Sequence, residues 1–229
     1  MTRLLLAGAT GLVGGEVLRL ALADERITRT VAPTRRPLPQ HDKLINPIVE
    51  AGNFTPDADW LAVDTGICAI GTTRAKTPSR ADYRAIDLDY PLAIAAAIRE
   101  RGATRFALTS SMGADPASRF FYTRTKGELE EELRVLDFPS LTIVRPGFIG
   151  GDRPEHRSME GLMGGLLRLA EPLLPAIARI SPADLIASIL LNAVCEELLG
   201  VHLVEAAQIA RMASDDRIER GRGRELRRP

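Results

Sequence analysis

Leu4-Leu5-Leu6-Ala7-Gly8-Ala9-Thr10-Gly11-Leu12-Val13-Gly14-Gly15 decides the fold. The apolar run stops at a glycine, which is how a short buried strand ends. From Leu12 to Ala23 the apolar residues Leu12, Val13, Val17, Leu18, Leu20 and Ala21 recur at helical spacing. Strand, glycine turn and helix in that order make an anion site. Gly8 lets the chain turn sharply, Gly11 lets backbone approach a pyrophosphate, and Gly14 lets the helix pack closely on the sheet. The helix N-terminus then offers unpaired N–H groups and a partial positive charge. Backbone N–H groups from Thr10 to Val13 are expected to face the pyrophosphate, so Gly8, Thr10, Gly11, Leu12, Val13 and Gly14 are candidate binding residues. The spacing is Gly-x-x-Gly-x-x-Gly, not the commoner Gly-x-Gly-x-x-Gly. It is the strand before and the helix after that carry the reading.

Outward from this turn, strands alternate with helices. Strands are predicted over Thr28–Thr34, Ile45–Val49, Gly66–Ile70, Arg105–Thr109, Leu141–Arg145 and Val201–Val204. Helices are predicted from about Ala81 to Arg101, stopped by Gly102, over Phe121–Val135, and over Asp184–Leu199. In the second of these, Glu128, Glu130, Glu131, Glu132 and Arg134 are expected on exposed faces. The alternation predicts an α/β fold: one doubly wound, Rossmann-type parallel sheet of about six or seven strands with helices on both faces. Residues 1–213 are read as this dinucleotide-binding domain, with a small lid or substrate segment at about 150–180. The arginine-rich residues 214–229 read as a solvated, flexible tail.

Bulk composition narrows the partners. Of 229 residues, 45% are apolar and 26% charged, and 30 Lys plus Arg balance 30 Asp plus Glu. A neutral chain gives no global reason to expect nucleic acid or an anionic membrane surface. Cys68 and Cys195 sit in apolar runs without metal-ligand spacing, so no metal is expected and the thiols suit a reducing compartment. The chain enters its first strand without a leader pattern, and a cytoplasmic location is expected. The expected partner is a small-molecule substrate, with monomer and homodimer both open.

The end of the second strand bears on cofactor choice. An NAD site places a carboxylate there for the ribose 2′-hydroxyl, whereas this chain has Thr34-Arg35-Arg36. Two guanidiniums suit a 2′-phosphate, because the planar fork binds phosphate oxygens in pairs. NADP(H) is therefore the expected cofactor, with NAD(H) admitted as a second.

Further along stands Tyr122-x-x-x-Lys126, preceded by Ser110-Ser111 just past the fifth strand. A phenol ordinarily titrates near pH 10, and a lysine one helical turn away on the same face favours phenolate. Such a tyrosine exchanges protons, and a nearby serine hydroxyl orients a carbonyl or alcohol oxygen. Ser111 is the candidate, and Ser110 competes because the sequence does not set the register of that loop.

With this pair and the glycine turn, the sequence resembles the short-chain dehydrogenase/reductase superfamily. Within it, the chain is similar to the atypical NAD-dependent epimerase/dehydratase-like group that includes the Tat-interacting oxidoreductase-like proteins. The matching stretches are Gly8 to Gly14, Arg35-Arg36, Gly71-Thr72-Thr73-Arg74, Ser110 to Asp115, Tyr122 to Glu128, and Arg145-Pro146-Gly147. The resemblance implies catalytic roles for Ser111, Tyr122 and Lys126, with Lys126 also holding the nicotinamide ribose. It implies that Asn53 contacts adenine, and that Gly71, Thr72, Thr73 and Ser110 line the cofactor, with Arg74 and Lys76 near the pyrophosphate. Pro146 and Phe148, at the end of the sixth strand, are also read as cofactor neighbours. The polar segment from Phe148 to Arg157 is read as a cover for the nicotinamide pocket, and His156 within it as a solvated loop residue. Asp87 stands where many members carry a structural asparagine, a departure that puts the family's proton relay in doubt. The activity implied is an oxidoreductase working on a small carbonyl or alcohol. The alternative is a regulatory protein that senses NADP(H) with little or no catalysis.

Overall fold

The computed structural model describes residues 2–50, 55, 58–72, 77–150, 180–196 and 198–225, with side chains to residue 215. In chain order the elements are β1 (Thr2–Ala7), α1 (Leu12–Ala23), β2 (Ile27–Val31), β3 (Leu44–Ile45) and β4 (Thr65–Cys68). A helical run follows as α2 (Arg80–Arg84), a π-helical turn (Ala85–Asp89) and α3 (Tyr90–Glu100). Then come β5 (Arg105–Thr109), α4 (Phe121–Val135), β6 (Ser140–Arg145) and β7 (Ile149–Gly150). The described chain continues with β8 (Ser181–Pro182), α5 (Ala183–Cys195), β9 (Gly200–Glu205) and α6 (Ala206–Glu225).

Seven strands form one sheet in the order β3-β2-β1-β4-β5-β6-β9, all parallel. This is the expected doubly wound, Rossmann-type α/β sheet. The order reverses between β1 and β4, which opens a crevice at the carboxyl ends of those two strands. Gly8 and the segment Ala69 to Gly71 stand at its rim. The short pair β7 and β8 lies apart as a second, two-stranded sheet.

Both faces of the sheet are covered, and the alternation along each strand divides the core in two. Leu5 and Ala7 of β1 join Phe106, Leu108, Leu141 and Ile143 under Ile94 and Ile98 of α3 and Leu129 and Leu133 of α4. Leu4 and Leu6 face the other way and pack with Ile67, Ala107 and Val144 under Val13 and Val17 of α1 and Ile186, Leu190 and Val194 of α5.

Several expected boundaries shift for local reasons. Strand β2 ends at Val31, and Pro33 then lacks the N–H needed to extend a regular ladder. The chain still pairs loosely, through Thr34 N–H to the Pro47 carbonyl and Val49 N–H to the Thr34 carbonyl. The helix expected from Ala81 to Arg101 is wound wide at Ala85–Asp89, directly before Pro91 near the start of α3. Proline cannot return a hydrogen bond to the Asp87 carbonyl four residues back, and the backbone accommodates this as a π-turn. Glu130, expected on an exposed face, is instead 1% exposed, because Arg145 and Ser110 meet its carboxylate inside the fold. Cys68 is buried and Cys195 half-buried. The backbone of α6 continues past Ser214, where a flexible tail was expected.

The tightest backbone contact is at Gly14, where an added Cβ would lie 2.0 Å from the Gly8 carbonyl oxygen. Gly14→Ala is therefore expected to push α1 off the sheet. Overpacking of this kind costs about 1–3 kcal/mol, which thermal unfolding reads as a drop of roughly 2–4 °C per kcal/mol for a domain this size. An unchanged melting temperature would show that the turn relaxes freely.

Candidate functional site

The glycine turn meets the steric demands of close approach. Gly8 has φ +93°, and a Cβ there would sit 2.7 Å from the Ala69 carbonyl. Its carbonyl accepts the Gly11 N–H at 2.9 Å. That bond corrects one expectation: of the groups from Thr10 to Val13, the Gly11 N–H is used inside the turn. Leu12 and Val13 begin α1, where helical geometry supplies no partner for the N–H groups. The first turn of α1 carries no acidic residue, and its N-cap, Gly11, makes no side-chain cap bond. A bare, positively polarised helix end beside backbone with no room for side chains fits a pyrophosphate.

Arg35 and Arg36 follow the end of β2 and are exposed, and among the described residues neither has an ion-pair partner. Their loop is held from below. Thr34 Oγ1 donates to the Arg36 carbonyl at 2.7 Å. Asn46 Nδ2 donates to the Ala32 carbonyl and to Thr34 Oγ1, while Asn46 Oδ1 accepts the Leu38 N–H. Asn46 is a positioning residue that the sequence reading missed, since a lone asparagine in a loop has no local signature.

Tyr122 and Lys126 lie one turn apart on the unbroken α4, as the spacing predicts. Tyr122 is 45% exposed, whereas Lys126 is buried. Gly127 explains the placement of α4. A Cβ there would fall 2.3 Å from the backbone of Asp115 and Pro116, so the helix is pressed against the loop leaving β5. Lys126 Nζ forms an ion pair with Asp87 Oδ1 at 2.7 Å, and both side chains are shut off from solvent. Asp87 Oδ2 accepts the Thr72 N–H at 3.0 Å, joining the pair to the loop after β4. Burial works against the lysine charge, but the Asp87 carboxylate outweighs it and the Lys126 pKa is raised. Tyr83, also buried, stacks edgewise on Phe121 and Tyr122, with ring centroids 5.4 and 6.4 Å away. Burial first, and then the Asp87 charge, push its phenol upward.

The two serines separate cleanly. Ser110 Oγ donates to the buried Glu130 at 2.5 Å. Glu130 also receives both arms of Arg145, at 2.9 and 2.6 Å. Arg145 reaches Glu205 of β9 at 3.2 Å. Ser110 is thus committed to a structural network, while among the described residues the Ser111 hydroxyl has only a long 3.4 Å contact to the Met112 carbonyl. The sequence did carry a signal for Glu130. It stands four residues after Lys126, on the same inward face of α4.

The pairing of β5 with β6 sets Ser110 and Ser111 beside Pro146, through Ser110 N–H to the Val144 carbonyl and Met112 N–H to the Pro146 carbonyl. Pro146 is buried and Phe148 is 68% exposed. Gly71 has open space around it, so close packing is no reason for a glycine there. Asn53, Thr73, Arg74, Lys76 and His156 lie outside the described residues, as does nearly all of the expected lid segment.

No family model matches the chain. Curated relatives do. Protein fmp52, mitochondrial, of Emericella nidulans is 34% identical over 170 residues, covering 71% of this chain and 73% of the relative. The Aspergillus niger protein of the same name is 31% identical over 235 aligned positions, covering 97% of this chain and 100% of the relative. The Saccharomyces cerevisiae protein is 37% identical over 171 residues, covering 71% of each. The chain belongs to the FMP52 family. The names of these FMP52 relatives place them in mitochondria, and that finding overturns the cytoplasmic expectation.

Solved structures share the fold of this FMP52-family chain. MoeE5 in complex with UDP-glucuronic acid and NAD superposes with a TM-score of 0.69 at 18% identity, covering 89% of this chain and 76% of MoeE5. A short chain dehydrogenase family protein from Francisella tularensis gives 0.68 at 15% identity, covering 92% and 99%.

Without Glu130 the half-buried Arg145 keeps its Glu205 contact, and loss of the bidentate, charge-assisted bonds costs about 1–3 kcal/mol. Glu130→Ala is therefore expected to destabilise the protein by that order, read as a lower urea midpoint. Glu131→Ala, an exposed neighbour on the same helix, serves as control and is expected to stay within about 0.5 kcal/mol of wild type. Equal midpoints for the two variants would refute a structural role for the Glu130 network.

Proposed function

We propose that this FMP52-family protein is an NADP(H)-dependent oxidoreductase of short-chain dehydrogenase/reductase type, acting on a small carbonyl or alcohol. The observation that carries the reading is the partly exposed Tyr122 on α4, with the buried Lys126 ammonium one turn behind it, at the sheet edge that holds the glycine turn. The motif resemblance to the Tat-interacting oxidoreductase-like group supports the same reading, and structural relatives that carry NAD support its coarser part, a nicotinamide cofactor.

The residues present fit a dinucleotide. The turn at Gly8, Gly11 and Gly14 would hold the pyrophosphate, and Arg35 and Arg36 the 2′-phosphate. When bound, the nicotinamide supplies a carbon that accepts or gives hydride. Tyr122 moves the proton on the substrate oxygen. Ser111, free of the network that occupies Ser110, holds that oxygen by a hydrogen bond. Lys126 sets the electrostatics behind the phenol.

One feature favours the alternative, an NADP(H)-sensing protein with little catalysis. Asp87 compensates the Lys126 charge and so weakens its pull on the Tyr122 phenol.

Two measurements decide these points. Tyr122→Phe keeps the ring and removes the phenol oxygen. For an enzyme, turnover of a carbonyl panel with NADPH is expected to fall by about a hundredfold or more while NADPH affinity stays within a factor of about three. Wild-type binding of NADPH with no turnover across the panel would select the sensing protein instead. Replacing Arg35 and Arg36 together by Ser is expected to weaken NADPH by about tenfold or more and leave NADH nearly unchanged, because only NADPH has a 2′-phosphate. Equal wild-type affinity for the two cofactors would overturn the NADP preference.

A further inference from the structure

Lys126 sits in a slot whose polar lining is short. Asp87 contacts it from the π-turn, and Tyr122 of its own helix and Cys68 of β4 are the other titratable groups that act on its charge, while the Tyr83 phenol of α2 feels the Asp87 charge. Burial pushes the Cys68 thiol up to about 11 and the Tyr83 phenol higher still. Neither carries charge at neutral pH. Asp87 is therefore the one carboxylate among the described residues that faces the ammonium at contact distance. It also joins two parts of the crevice, since its second oxygen accepts the Thr72 N–H in the loop after β4.

A lysine without solvent loses its proton readily, by several pH units when fully buried. A site that needs an ammonium behind Tyr122, or on a ribose, needs something to keep the charge in place. We propose that Asp87 is a positioning residue: its carboxylate keeps Lys126 charged and fixed in a closed slot and, through the Thr72 N–H, aligns it with the loop at the cofactor crevice. The π-turn is the device that delivers it. The wider winding at Ala85–Asp89 turns Asp87 inward to α4, and Pro91 keeps the helix from closing up. The assignment rests on the cofactor reading only for its consequence. The charge-holding step is a property of the protein alone.

The chain has three lysines, Lys43, Lys76 and Lys126, so protein labelled at lysine 13Cε gives three signals, assigned by loss of one in Lys126→Met. In wild type the Lys126 signal is expected to show no titration below about pH 10. In Asp87→Asn its midpoint is expected to fall by about 2 pH units or more, and Asp87→Glu is expected to restore it. The sign in stability follows. The ion pair raises the folded-state lysine pKa above its unfolded value, so its contribution is full below about pH 10 and fades above it. In Asp87→Asn the buried lysine's pKa instead falls below its unfolded value, so that variant gains stability as it deprotonates, and its deficit against wild type is largest near neutral pH and shrinks as pH rises toward 10. If Asp87→Asn does not fold at neutral pH, the double variant Asp87→Asn/Lys126→Met, which removes the stranded ammonium, is expected to recover the folded state.

NADPH affinity gives the functional readout. It is expected to be flat in wild type between pH 6.5 and 9 (roughly the range below lysine titration), and to fall about tenfold in Asp87→Asn as Lys126 loses its proton. A Lys126 signal in Asp87→Asn that titrates with wild type, or a double variant no better folded than a non-folding single one, would overturn the proposal. Failure of wild type to bind NADPH would overturn the cofactor reading instead, and the lysine titration would still judge Asp87.

Discussion

The close approach of α1 to the ends of β1 and β4 is the constraint on which the rest of the molecule depends. With no side chain at Gly8 or Gly14, the first turn of the helix settles onto the Gly8 carbonyl and against Ala69. That contact seats Val13 and Val17 on one core, and it brings the positive end of the helix to the point where the strand order reverses. Packing of the helix and the placement of its positive end are the same geometric fact here. A Cβ at either glycine would disturb both.

From that point the candidate site residues are set out along the carboxyl ends of the strands by strand register. β4 carries the loop containing Thr72, β5 the two serines, and β6 Pro146, each paired in parallel with its neighbour. Helix α4 then crosses these ends at a height dictated by Gly127 against Asp115 and Pro116. The rigidity of the arrangement comes from two buried charge networks on the inward face of one helix. Lys126 pairs with Asp87, and four residues on Glu130 pairs with Arg145 and Ser110. A charge buried without a partner is strongly unfavourable, so each network holds its members in one geometry.

The same networks assign different duties to chemically similar residues. Ser110 and Ser111 are neighbours of equal chemistry, yet only the first has a carboxylate behind it, and its hydroxyl is tied to Glu130. Asp87 offers a further contrast. An asparagine at that position would leave the buried lysine without a countercharge. The aspartate neutralises the pair, and this makes the protonation of Lys126 a matter of tertiary contact.

Much was legible in the amino-acid sequence by itself. The apolar run to Ala7, the glycines at fixed spacing and the periodicity after Leu12 specify a strand, a tight glycine turn and a helix, because backbone sterics and side-chain period are local properties. The alternation of such units implied the parallel sheet, and the i, i+4 spacing put Tyr122 and Lys126 on one face. The chain could not reveal locally which charged residues of a helix turn inward. Glu130 sits among acids that look alike in sequence, and only the position of Arg145 on β6, fifteen residues away, makes its burial favourable. The pairing of Asp87 with Lys126 spans thirty-nine positions, and the bracing of Arg35 and Arg36 by Asn46 crosses from β2 to the segment after β3. These contacts depend on how elements distant in sequence are brought together. The desolvation that gives them their strength arises only after the sheet and its helices have closed around them.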